Sequence, residues 1–353
     1  MGWSHWRGGI CPGTRLCQCH WIRLVVLAVL QTGLVAATTF YASPHGSDGG
    51  SGSLAAPFLT VQRCVDAAHL PGDACLLRAG TYREQVRLRH SSRGPSESAP
   101  VTLSSFPGER AVLSALDVVH TRAAWQRVRE LGDGAVVYEA PVDVEYSALF
   151  VDGRLQMSGR WPHVRLEDSW DRARTFRLSG SRSTLVHNST PPAALLDVEG
   201  APEGVDWVGG LVCLSVGYQS KCSPVLGAEA PNLLRIGAGI CDVCTGARGW
   251  KSREYFLSGP PAAIGVAGEW TQRNGIITVA LPPGKAPSDV VIEGRVRHVA
   301  AFFSGTPRPE VPKEYLTSLG QSLQYFVLSN LSVVGGGGVP FNVLQFAGSL
   351  PVD

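Results

Sequence analysis

The alternation of apolar and polar residues is most regular between residues 41 and 113, and its period changes once. In residues 60–69 the apolar side chains Val61, Cys64, Val65 and Ala68 fall at i, i+3, i+4 and i+7, one face of a helix. Thr60 is available as its N-cap and Pro71-Gly72 as its stop. After the turn Pro71-Gly72-Asp73 the period shortens towards two. Residues 74–77, 85–88, 101–103 and 111–113 read as short strands, parted by turn signals at Gly80-Thr81 and Pro107-Gly108-Glu109. One helix followed by evenly spaced short strands predicts a wound sheet whose open end the helix covers. Without such a lid the first winding would expose apolar side chains and unpaired main-chain groups. A sandwich of short strands gives similar spacing and is the competing reading.

From about residue 121 to 287 the regularity is lost, and most of the tryptophans gather there: Trp125, Trp161, Trp170, Trp207, Trp250 and Trp270. Residues 136–138, 147–151, 212–216 and 276–281 read as strands of an antiparallel sandwich. Alternation returns near Val291, residues 325–334 have the pattern of a winding, and residues 339–346 begin another after a glycine turn. The expected organisation is therefore a leader over 1–37, a cap and first windings over 38–120, an inserted β-rich domain over 121–290, and resumed, truncated windings over 291–353. Such an array needs a second cap to hide its last apolar layer. The expectation is thus a fragment of a longer protein, with a short protein capped by a partner as the alternative.

The stretch YASPHGSDGG, APFLTVQRCVDAAHLPGDACLLRAGTYREQV and APVTLSSFPGERAVLS resembles the N-terminal cap and first coils of right-handed parallel β-helix proteins. This pectin-lyase-like group is carbohydrate-active and includes glycoside hydrolases and polysaccharide lyases. LFVDGRLQMSGRWP, GEW and TVALPPGKAPSD are similar, more weakly, to phrases of glycoside-hydrolase-like β-helix proteins that carry an insert. The resemblance implies an all-β fold: a right-handed parallel β-helix with an N-terminal capping α-helix and an inserted antiparallel β-sandwich-like domain. It also implies a secreted protein acting on a polysaccharide or glycan, as part of a glycoside hydrolase. A polysaccharide lyase and a noncatalytic carbohydrate-binding or cell-surface module are the alternatives.

Composition narrows the picture. The chain has 353 residues, 44% of them hydrophobic and 17% charged, with 41 Gly and 24 Pro, which favours turn-rich β structure over helical bundles. The net charge is +2, and the leader alone holds Arg7, Arg15 and Arg23 without an acid. No basic stripe marks a nucleic-acid partner. Residues 24–37 form an apolar run after Arg23, shorter than the roughly 18–20 residues of a membrane span. With small residues at Val35 and Ala37 this is the pattern of a secretory signal peptide, an uncleaved signal anchor being the alternative and the only membrane contact expected.

Beyond the leader six cysteines remain, an even number that suits disulfides in a secreted chain. Cys64 with Cys75 would staple the helix to the first strand, and Cys213 with Cys222 would close a hairpin. Cys241-Asp-Val-Cys244 is a CxxC for which a disulfide is preferred over zinc, whose second ligand pair is poorly supplied, and over redox chemistry, whose strand–helix context is missing. Asn188-Ser-Thr and Asn330-Leu-Ser are glycosylation sequons.

Hydrolysis of a sugar bond needs two facing carboxyl groups, about 5–5.5 Å apart for retention and about 6.5–9.5 Å for inversion. Elimination from a uronic acid needs a base and a neutraliser of the carboxylate, often Ca²⁺. The resemblance implies that such groups line middle coils beyond Asp353, which leaves the catalytic residues unassigned and no cofactor or metal expected otherwise. Asp73, Glu84, Glu109 and Asp117 sit in turns or at edges and read as caps of main-chain N–H groups. His69 and His120 read as structural. The residues suited to a sugar are Arg160, Trp161 and His163, together with Trp270 after Glu269: a guanidinium, an aromatic plate and an imidazole. The alternative makes Trp161 and Trp270 core residues and pairs Arg160 with an acid.

Overall fold

The computed structural model describes residues 36–88, 98–169, 171–178, 184–186, 193–216, 219–237, 254–297, 301–303 and 326–335. Residues 1–35, where a leader is expected, Asn188, Cys241, Cys244 and residues 339–346 lie outside them. The described residues are mainly β-strand, with one helix of seven residues, Val61–Ala67, and shorter helical turns.

Three parallel sheets take their strands from successive stretches of the chain in a repeating order. The first contains Thr39–Ala42, Ala74–Leu77, Val101–Ser105 and Phe326–Ser329, all paired parallel. The second contains Gly80–Tyr82, Ala111–Ser114 and Leu331–Val334. The third pairs Val86–Leu88 with Ala301–Phe303. Register stacks like positions on one another: Cys75 on Leu103 on Leu328, and Tyr82 on Leu113 on Val333. Because strand side chains alternate faces, one face of each strand enters a shared core with Ala42, Leu77, Leu103 and Leu113.

The helix lies on this core through Val61, Cys64 and Val65, the stripe expected from its spacing. Thr60 is its N-cap and accepts a hydrogen bond from the Arg63 N–H. Gln62 exchanges two hydrogen bonds with the main chain of Arg87 (2.6 and 3.0 Å), so the helix also satisfies groups at the sheet end. A disulfide joins Cys64 to Cys75, and a second joins Cys213 to Cys222.

Acidic side chains in the turns hold main-chain N–H groups. Asp73 is buried and accepts from Thr38 and Leu70 (2.8 and 2.9 Å). Glu84 accepts from Val61 and Gln62 at the start of the helix (2.9 and 3.0 Å). Burial lifts the Glu84 carboxyl above its ordinary range, against the pull of those two N–H groups. Glu109 accepts from the Ala79 N–H and pairs with Arg78, whose guanidinium holds its carboxyl below the usual range.

Between Ser114 and Ala301 the chain builds antiparallel sheets. One holds Gln126–Glu130, Val136–Pro141, Ile276–Leu281 and Glu269–Arg273 in that order, with Met157–Ser158 added parallel at its edge. A larger one runs from Arg160–Trp161 through Glu254–Ser258, Leu211–Val216, Gln219–Ala230, Leu233–Gly237 and Ala193–Asp197 to Thr184–Val186. Ile292–Arg295 corrects one expectation. The sequence reads it as the start of resumed winding, yet it pairs antiparallel with Leu149–Val151 and Leu116–Val118. Period-two alternation is the same in both kinds of sheet; the partner is chosen by the core available, here Leu149, Val151 and Trp270 around Ile292. Parallel pairing resumes at Ala301–Phe303. Ion pairs tie this region to the parallel sheets: Arg83 to Glu293 (2.7 Å), while Arg297 and Asp117 make two bonds (2.8 and 3.1 Å) beside the junction.

No helix among the described residues is long and apolar enough to cross a membrane.

Candidate functional site

Residues 154–161 step across three sheets in succession: Arg154–Leu155 pairs antiparallel in one, Met157–Ser158 parallel in the next and Arg160–Trp161 antiparallel in the third. This zigzag sets the candidate residues at the junction of the two larger sheets. Gly159 fits there because a Cβ on it would lie 2.7 Å from Ile264. The junction is closed by hydrogen bonds from Gly159 N–H to the Trp270 carbonyl and from Gly259 N–H to the Gly159 carbonyl (2.7 and 3.2 Å).

Arg160 is 5% exposed, so its guanidinium is part of the packing. Its Nε donates to the Pro162 carbonyl (3.1 Å) and its Nη2 to the Thr175 carbonyl, and the group lies 3.7 Å from the Phe256 ring centroid. Burial pushes its pKa down to about 10. The expected alternative partner, an acid, is replaced by carbonyls and an aromatic face.

Trp161 is half-buried against Tyr255, ring centroids 6.0 Å apart, and Arg177 stands over it at 5.8 Å. Trp270 is buried among Ile277, Val279 and Leu281. Trp270 therefore serves one core, while Trp161 packs partly buried against another. Tyr255 is fully buried, and its hydroxyl has no hydrogen-bond partner among the described residues. An orphaned buried hydroxyl costs about 1–3 kcal/mol. Tyr255→Phe is accordingly expected to raise stability by about 1 kcal/mol, read as a higher urea midpoint at unchanged m-value.

His163 is the candidate that reaches the surface. About a third of its side chain is exposed (33%), while Glu269 behind it is fully buried. The imidazole Nδ1 lies 3.2 Å from both carboxylate oxygens, and the Gly265 N–H donates to Oε2 (2.8 Å). Gly265 is required by shape: a Cβ on it would lie 2.1 Å from His163 Nε2. Arg129 fixes the same loop through the Pro261 and Ile264 carbonyls (3.2 and 2.6 Å). The structure thus brings His163 and Glu269 together and sets Arg160 close by, whereas Trp161 and Trp270 point into separate cores. The pairing of His163 with Glu269 is beyond sequence reasoning, since 106 positions separate them.

No three His, Cys, Asp or Glu side chains cluster to hold a metal ion among the described residues.

No protein-family profile matches the sequence. Among curated proteins, Pectate lyase PEL9 of Emericella nidulans is 30% identical over 112 residues, which is 32% of this chain and 26% of that protein. Among solved structures, one described as a glycoside hydrolase superposes with a TM-score of 0.59 at 14% identity, over 85% of this chain and 51% of its own. A complex of XylC with xylose gives a TM-score of 0.39 at 14% identity, over 84% and 35%. The chain spans about a quarter of the curated relative and half of the first structural neighbour. It shares the fold of that part of the glycoside hydrolase.

Proposed function

We propose that this chain forms the first part of a secreted right-handed parallel β-helix protein that acts on polysaccharide, with a β-rich insert beside the windings. The observation that carries this reading is the recurring order in which the chain visits three parallel sheets, with like residues stacked in register. The 112-residue similarity to a pectate lyase and the fold shared with a glycoside hydrolase support a carbohydrate substrate. Two disulfides favour an oxidising compartment, and Asn330, exposed in a turn, is a site for an attached glycan there. Hydrolysis is preferred to elimination because the phrases of the insert resemble hydrolase relatives. The pectate lyase similarity is the observation that favours the second reading.

Of the described acids among residues 36–120, Asp48, Asp73, Glu84 and Glu109 each hold main-chain N–H groups, Asp66 accepts from the Gln62 side chain, and Asp117, expected to cap the main chain, instead pairs with Arg297. None is free to serve as half of a catalytic carboxylate pair. The expected result for this chain is retention on insoluble polysaccharide without cleavage. The measurement is co-sedimentation with pectate, xylan and cellulose, followed by assays for reducing ends and for unsaturated uronide. Reducing ends released from any of them would place a hydrolytic site within this chain; unsaturated product would favour the lyase; failure to sediment with every polysaccharide would overturn the glycan reading.

A further inference from the structure

We propose that Glu269 holds His163 in the tautomer whose Nε2 accepts a hydrogen bond, and that Nε2 takes a hydroxyl of a bound glycan. This deepens the polysaccharide reading above and rests on it. A carboxylate can only accept hydrogen bonds, so the proton between Glu269 and His163 belongs on Nδ1. A neutral imidazole then carries its lone pair on Nε2, and the ligand group that matches it is a donor. Sugar hydroxyls supply such donors on neutral and acidic glycans alike, whereas a uronate carboxylate does not.

The construction around the pair is that of a fixed acceptor rather than a surface histidine. Glu269 is fully buried, and its hydrogen-bond donors are the Gly265 N–H and His163 Nδ1. A buried carboxylate with fewer donors would be costly, which gives the imidazole a strong reason to stay in place. The Gly265 main chain packs where only a missing Cβ leaves room for the ring. No protein group is bonded to Nε2 among the described residues, and a third of the side chain stays accessible (33%). Glu269 is thus a positioning residue acting through His163, in the way an outer carboxylate orients a ligating histidine.

The test uses the full chain, with imidazole ¹⁵N NMR and titration with cello-oligosaccharides and oligogalacturonates. The expected spectrum is that of an Nδ1–H ring, with the Nε2 resonance moving when either sugar is added. His163→Ala should lower stability, because it leaves the buried Glu269 with one donor fewer, and, in protein that circular dichroism shows to be folded, should weaken both sugars about tenfold. Glu269→Gln should erase the tautomer preference, and His163→Gln, which restores an acceptor, should recover part of the affinity. An Nε2–H ring overturns the proposal, as does unchanged affinity in His163→Ala when the wild type binds. Should the wild type bind neither sugar, the polysaccharide reading fails and takes this proposal with it. The first two results leave that reading intact, so the two failures are distinguishable.

Discussion

Replacing Cys64 and Cys75 together by alanine is expected to lower stability by about 2–3 kcal/mol, with the midpoint of thermal unfolding falling roughly 3–5 °C. The bond closes a short loop, with partners 11 positions apart, and joins two elements of different kind. Cys64 lies on the buried stripe of the helix, and Cys75 in the first parallel sheet is in register with Leu103. Both are nearly inaccessible, so the cross-link is also part of the core that separates helix from windings. Without it the helix is held by one apolar stripe and by the caps from Thr60 and Glu84. A helix of seven residues has little stability of its own. Calorimetry of the double variant, with hydrogen exchange at Val61–Ala67, checks this. Protection of the helix should fall further than that of Glu269–Arg273 in the insert. Equal loss in both would show that the helix and the antiparallel sheets unfold as one unit, and an unchanged midpoint would refute the stapling role.

Arg160→Ala is expected to cost about 3 kcal/mol or more, because it strands two carbonyl groups and empties the space beside Phe256. Arg160→Lys should recover only part of this, since an ammonium cannot stack flat on Phe256 while bonding two divergent carbonyls. The prediction separates two roles for the same side chain. A guanidinium that contacts a glycan would be replaceable without loss of stability and would show its effect in binding. The packed guanidinium seen here should instead shift the urea midpoint of the insert in the absence of any sugar. Wild-type stability combined with lost binding in Arg160→Ala would overturn the structural assignment. His163 supplies the contrast, since its ring reaches the surface and its replacement should show in binding as well as in stability.

The sequence carried everything that depends on local spacing. Val61, Cys64, Val65 and Ala68 at helical intervals, with Thr60 ahead of them, are enough to specify the helix and its cap. The strands at Ala74–Leu77, Val101–Ser105 and Ile276–Leu281 follow from alternation and from the turns that bound them. Neither signal names a partner. Alternation with period two looks the same in a parallel winding and an antiparallel sheet, which is why Ile292–Arg295 could be read as one and folds as the other. Burial likewise depends on what packs opposite: Trp161 and Trp270 look equally fit for sugar and for core, and the structure buries Trp270 while leaving Trp161 half-buried. The meeting of His163 with Glu269 is decided wholly by tertiary structure. They come from distant parts of the chain, and only the junction of the two larger sheets, with Gly265 leaving room, brings imidazole and carboxylate to 3.2 Å.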